Sequence, residues 1–183
     1  MTIKWLGHSC FLLTDAEGTR VLVDPCNPEI GYDIGVVEAD VVTSSHDHYD
    51  HNNIAAAGEN AVAIREPGEY SVKNVKIKGF PTWHDDAQGA LRGPNVMYLF
   101  EMDGVHVLHA GDLGQLPDEE TVKAIGRVDV LLAPVGGRYT IDYQGARDLA
   151  NTLGPKVVIP MHYMTDAVKA ELDEVTPFLD HAS

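Results

Sequence analysis

The stretch TSSHDHYDHNN, Thr43 to Asn53, places three histidines and two aspartates within six consecutive positions, His46 to His51. It follows ADVV, a β-branched run that reads as a strand. Neutral imidazole and carboxylate suit zinc, iron or manganese, and a loop leaving a strand aims four such groups at two adjacent ions where a helix does not. The bland alternative is a polar surface loop of idle histidines. The spacing H-x-H-x-D-H directly after a strand argues against it.

Working outward, the same residue types recur at the ends of other apolar runs: His84 after VKIKGFPTW, Asp112 after VHVLHAG and His162 after KVVIPM. Residues at strand ends converge in space although they lie far apart in sequence, so one pocket is the economical explanation. The strands are read as CFLLT, TRVLVD, ADVVTS, AVAIRE, NVKIKGF, VMYLFEM, VHVLHAGD, VDVLLAPV and VVIP. TDAEGT and Asp103-Gly104 are hairpin turns, because Asp-Gly tolerates positive φ. A helix is expected from Asn52 to Ala57, one in PDEETVKAI with proline and acidic residues in its first turn, and one from Asp142 ended by Gly154 and Pro155. The last is expected to open at Thr165, with Pro177 limiting or bending it. REPGEY, Arg65 to Tyr70, reads as a turn between strands. Strands and helices interleave without a low-complexity linker or a short internal repeat, which gives an α/β unit of sheets covered by helices.

The 183 residues suit one domain over 1–183, and a composition of 44% hydrophobic and 22% charged residues is that of a globular chain. A formal net charge of −15 opposes loose binding to phosphate backbones or anionic lipid, so neither a nucleic-acid nor a membrane partner is expected. No stretch matches a secretory leader or a membrane span, and a cytoplasmic location is expected. Cys10 and Cys26 have no C-x-x-C spacing and read as buried thiols.

HDHYDH, with His84 in TWHDD, Asp112 in HAGDLG and His162 in IPMHY, resembles the metallo-β-lactamase superfamily, and WLGHSCFLL, VLVDPC and PVGGRYTID extend the likeness over nearly the whole chain. They resemble its branch of small hydrolases, which includes the ascorbate-6-phosphate lactonase and N-acyl-phosphatidylethanolamine phospholipase D types. The resemblance implies a four-layer αβ/βα sandwich with the metal site at one edge of its two sheets. It implies a first ion held by His46, His48 and His84, a second by Asp50, His51 and His162, and Asp112 bridging both. Two such ions bring a water toward neutral pKa and polarise a carbonyl or phosphoryl oxygen, with Asp50 placed to orient the hydroxide and take its proton. Zinc is the first expectation; manganese, iron and nickel suit the same donors.

Around these residues the readings divide. Asp24, which ends RVLVD, is implied by the resemblance to support the histidine loop from beneath, against a plain turn residue. His8 in LGHSCF either lines the pocket or makes a structural hydrogen bond. His106 and His109 read as satisfied strand histidines, and His181 as solvated. Asp47 and Asp85 either bond to neighbouring ligands or are solvated. APVGGRYT offers Gly136 and Gly137 for close backbone approach and Arg138 and Tyr139 as polar groups, which reads as a substrate-facing loop. Arg92, in ALRGPN, is a second candidate contact for an anion.

The leading function is a binuclear metal-dependent hydrolase acting on an ester, lactone or phosphodiester bond of a small molecule, anionic if Arg92 and Arg138 face the ions. The alternatives are an iron-dependent oxidoreductase, an RNA-processing enzyme, which the acidic composition opposes, and a metal-binding module without turnover. A homo-oligomer is left open.

Overall fold

The computed structural model describes residues 1–181. Eleven strands form two mixed sheets. The first contains β1 (Thr2–Gly7), β2 (Cys10–Thr14), β3 (Arg20–Val23), β4 (Val41–Thr43) and β5 (Val62–Ile64), in that order. The second contains β6 (Gly68–Val72), β7 (Val75–Trp83), β8 (Pro94–Met102), β9 (Val105–His109), β10 (Val130–Pro134) and β11 (Val157–Met161), in reverse order across the sheet.

Strands buried on both faces carry unbroken apolar runs, and that is how these sequences read. Val21, Val23 and Val41 join Ile77, Tyr98, Phe100, Leu132 and Met161 in the core between the sheets. Their neighbours Leu22 and Val42 point the other way, against Ile30, Ala57, Val168 and Leu172. On the far side of the second sheet, Leu108, Leu131 and Ala133 pack against Ile125 of α1 (Glu119–Ile125), Ala146 and Leu149 of α2 (Tyr143–Leu153) and Phe178 of α3 (Thr176–Asp180). The result is the expected αβ/βα sandwich, with one outer layer of helices and one of 3₁₀ turns and loop.

The helix boundaries follow local chemistry. Asp118 caps α1 by accepting from the Thr121 amide at 2.8 Å, Asp142 caps α2 through the Gly145 amide at 2.9 Å, and Gly154 ends α2 at φ 61°. Three expectations are corrected. The segment after the histidine loop forms only a 3₁₀ turn, Ile54–Ala57, because its entry is diverted by a bond from the Asn53 amide to the Pro25 carbonyl. No helix opens at Thr165: the amides of Lys169 and Asp173 bond to the carbonyls of Ile30 and Gly136 rather than to the turn before them, and Pro177 begins α3 rather than bending it. Gly68 to Tyr70 of REPGEY belong to β6, which pairs with β7. Cys10 and Cys26 are free and buried. Among the described residues no helix is long and apolar enough to cross a membrane.

Candidate metal centre

The ends of β3, β4, β7, β9 and β11 meet at one edge of the two sheets, and each delivers a polar side chain there: Asp24, His46, His84, Asp112 and His162. Asp112 lies at the middle. Its carboxylate stands 3.1 Å from Nε2 of His51, 3.2 Å from that of His162, 3.3 Å from that of His84 and 3.8 Å from that of His46. The donor atoms of His46, His48 and His84 lie within 4.8 Å of one another, and so do those of His8, Asp50, His51 and His162. All seven residues of the expected ligand set are thus brought together.

Six buried atoms of this cluster have no hydrogen-bond partner: Nδ1 of His8, His84 and His162, Nε2 of His46 and His51, and Oδ1 of Asp112. Idle buried polar atoms are rare, and so many in one place call for an explanation. Burial, with the neighbouring imidazoles, pushes His46 down to about 3 and also lowers His48, leaving neutral rings with free lone pairs. Burial opposes a charge on His51 too, yet the carboxylates of Asp112 and Asp50 raise it well above its ordinary range. Imidazole lone pairs and two carboxylates at these distances call for positive charge, and divalent cations fit the donor set.

Asp24 is fully buried beneath the histidine loop, as expected of a support. It accepts from the Ser45 amide at 2.9 Å, from the Ser45 hydroxyl, and from His51 Nδ1 at 2.8 Å. Burial works against its charge, but the His109 and His51 imidazoles and Ser45 hold the carboxyl below its usual range. Backbone strain gathers at the same place. Seven non-glycine residues have positive φ, and the three that are buried are His8, Asp24 and His162. Asn95 was not singled out in the sequence; its buried amide accepts from the Asp112 backbone N–H at 2.9 Å and donates to the Ala110 carbonyl at 3.0 Å, holding the Asp112 turn. His109 is satisfied at both nitrogens: Nε2 donates to the Ser9 carbonyl at 2.9 Å, and Nδ1 accepts from the Gly111 amide at 3.1 Å.

A cleft of about 590 Å³ opens over the cluster, lined by His48, Asp50, His84, Asp112 and His162 with Tyr49, Arg92, Tyr139 and Lys169 toward its mouth. Arg92 lies over the Tyr139 ring at 5.5 Å. Its loop is tied down by Asp85, which accepts from the amides of Ala87, Gly89, Leu91 and Arg92 at 2.7–2.9 Å. Burial raises the Asp85 carboxyl, and those four amides outweigh it, bringing the carboxyl down to about 2. Asp47 is exposed and paired with Arg65 at 2.7 Å. The expectation for Arg138 is corrected: it does not line the cleft, and pairs instead with Asp173, at 3.2 Å, and with Glu171 at the cleft's border, at 3.7 Å. Gly136 and Gly137 do not line the cleft either. A Cβ on Gly136 would lie 2.1 Å from the His162 carbonyl oxygen, so this glycine permits close packing of the segment carrying His162. Lys169 carried no signal in the sequence, since only the fold brings residues 169–171 to the cleft.

Two facing mixed sheets with a buried histidine and aspartate cluster at their common edge define a metallohydrolase type of domain. Residues 2–162 match the family described as the Beta-lactamase superfamily domain. A UPF0173 metal-dependent hydrolase of Methanoregula boonei is 36% identical over 188 residues, covering 90% of this chain and 83% of its own. The chain belongs to the β-lactamase superfamily, among its UPF0173 metal-dependent hydrolases. The crystal structure of a protein of the same superfamily from Thermotoga maritima, proposed to be a Zn-dependent hydrolase, superposes with a TM-score of 0.82 at 43% identity, covering 97% of this chain and 84% of the other. CmlA, a diiron β-hydroxylase from Streptomyces venezuelae, shares the fold with a TM-score of 0.69 at 15% identity, over 97% of this chain and 49% of its own.

Proposed function

We propose that the protein is a binuclear hydrolase, with zinc as its first-choice metal, that cleaves an ester, lactone or phosphodiester bond in a small molecule. The observation that carries this reading is the Asp112 carboxylate set within 3.1–3.8 Å of four imidazole nitrogens drawn from both sheets. His46, His48 and His84 would hold one ion, Asp50, His51 and His162 the other, with Asp112 between them. Bound there, the ions supply a hydroxide nucleophile at neutral pH and polarise the oxygen of the bond attacked. Asp50, which lines the cleft, orients the attacking water and accepts its proton. Asp24 fixes the proton of His51 on Nδ1 and so keeps Nε2 free to ligate. The test is metal content by plasma mass spectrometry on tag-free protein beside hydrolysis of bis-p-nitrophenyl phosphate and a lactone panel. Two equivalents with turnover are expected; metal that neither copurifies nor can be restored by zinc, manganese or iron overturns the reading.

The cleft also favours an anionic substrate. Its carboxylates are engaged, Asp47 by Arg65, Glu171 by Arg138, and Asp50 and Asp112 by the histidine cluster, whereas Arg92 and Lys169 have no carboxylate partner among the described residues. A charge-assisted bond contributes roughly 1.5–3 kcal/mol. Replacing both cations by alanine is therefore expected to lower kcat/KM for a carboxylate-bearing p-nitrophenyl ester about 10- to 100-fold relative to a neutral one, chiefly through KM. An unchanged ratio removes the anionic handle.

A further inference from the structure

The tip of the β1–β2 hairpin departs from ordinary turn chemistry. His8 and Ser9 join strands whose last paired residues are Gly7 and Cys10. Such tips normally face solvent and place glycine, asparagine or aspartate where φ is positive. Here a histidine holds φ 51° and is 1% exposed, and Ser9 is wholly buried. The hairpin is wedged in place. The Trp5 indole donates to the His8 carbonyl at 2.9 Å and stacks on Tyr163, while a Cβ on Gly7 would meet the Tyr32 ring at 2.3 Å. That wedge sets the His8 imidazole beside Asp50 and His162: Nε2 lies 3.1 Å from Asp50 Oδ2, and the ring centroid lies 4.4 Å from that of His162. Nδ1 is buried with no partner.

Left-handed backbone at a β-carbon-bearing residue and an idle buried nitrogen both oppose folding, and an apolar side chain at this position would avoid the second. Only Nε2 has an acceptor within reach, so the ring proton belongs there. A nitrogen that donates to Asp50 has no lone pair left for an ion. We propose that His8 is a positioning residue: through Nε2–H it holds the Asp50 carboxylate against His51 and His162 and so sets the affinity of the ion those residues bind. This rests on the binuclear reading above.

The test compares full-length wild type with His8→Asn and His8→Gln. Asparagine suits a left-handed turn but falls short of Asp50, whereas glutamine places an amide N–H where Nε2 stands. Cobalt titration of the metal-free proteins, followed by visible absorption and by competition with a chromogenic chelator, reads each ion separately. Wild type is expected to take two equivalents. In His8→Asn the second should bind about 10- to 100-fold more weakly, with altered visible bands and the first equivalent unchanged, as for loss of other groups that orient a ligand. His8→Gln should restore the second equivalent and its bands, a rescue that a packing role does not predict. If His8→Asn does not fold, His8→Phe, which keeps a ring and lacks a donor, takes its place with the same expectation. Two unaltered equivalents in the donor-less variant overturn the proposal and leave the binuclear reading standing. A wild type that takes one equivalent or none overturns both.

Discussion

Asp112→Ala is expected to lose its bound metal and to lower kcat/KM by about three orders of magnitude or more, while the metal-free variant melts close to the metal-free wild type. The two halves of this result have one cause. Asp112 Oδ1 lies 3.1 Å from His51 Nε2, and Oδ2 has the imidazoles of His162, His84 and His46 at 3.2–3.8 Å. Burial opposes its charge, and the His162 and His51 imidazoles alone draw the carboxyl well below its usual range. Without a cation this pairing sets the burial of two charges against one attraction, and on loss of Asp112 the His51 imidazole, whose charge burial opposes, releases its proton rather than remain charged beside the gap, so the net cost to folding is small. In the proposed binuclear site it would be the ligand shared by the two ions, and losing it would remove several kcal/mol of transition-state stabilisation. The turn that carries it survives, because Asn95 holds the Asp112 backbone amide rather than the side chain. Two ions per chain retained by Asp112→Ala would refute its bridging role.

The site was legible in the sequence wherever its signal was local. H-x-H-x-D-H is contiguous, and His84, Asp112 and His162 each follow a run whose apolar residues already mark a strand end. The sandwich was legible for a related reason: RVLV and VVT bury alternate residues on opposite faces, which only a sheet covered on both sides allows. What escaped depends on contacts between distant segments. Asp85 and Asp47 both neighbour a ligand position in sequence, yet one collects four backbone amides and the other pairs with Arg65 at the surface. Lys169 reaches the cleft because its amide and that of Asp173 bond to Ile30 and Gly136, which also removed the expected helix. Arg138 and Arg92 look alike as cations beside glycines, and only Asp173, far along the chain, tells them apart.

Asp24→Asn should separate folding from metal binding in the opposite sense to Asp112→Ala. The carboxylate is wholly buried and accepts from three donors: Ser45 N–H at 2.9 Å, the Ser45 hydroxyl, and His51 Nδ1 at 2.8 Å. An amide has the same shape but one oxygen. Oriented with its nitrogen toward His51, it sets one N–H against another unless the ring moves its proton to Nε2, and an Nε2–H cannot ligate. Oriented the other way, the amide confronts the Ser45 backbone N–H, which has no alternative tautomer. The first arrangement costs less, so Asp24→Asn is expected to fold, to melt several degrees lower, and to lose the ion proposed for His51 while keeping the one proposed for His46, His48 and His84. Asp24→Ala leaves the Ser45 amide and His51 Nδ1 unpaired and should cost about 3–5 kcal/mol, the range for breaking a buried charged network. For a chain of this length that lowers Tm by roughly 6–20 °C, at about 2–4 °C per kcal/mol. Cobalt titration of the metal-free Asp24→Asn protein reads the outcome. Two ions still bound would show that Asp24 supports the loop without choosing which nitrogen of His51 meets the metal.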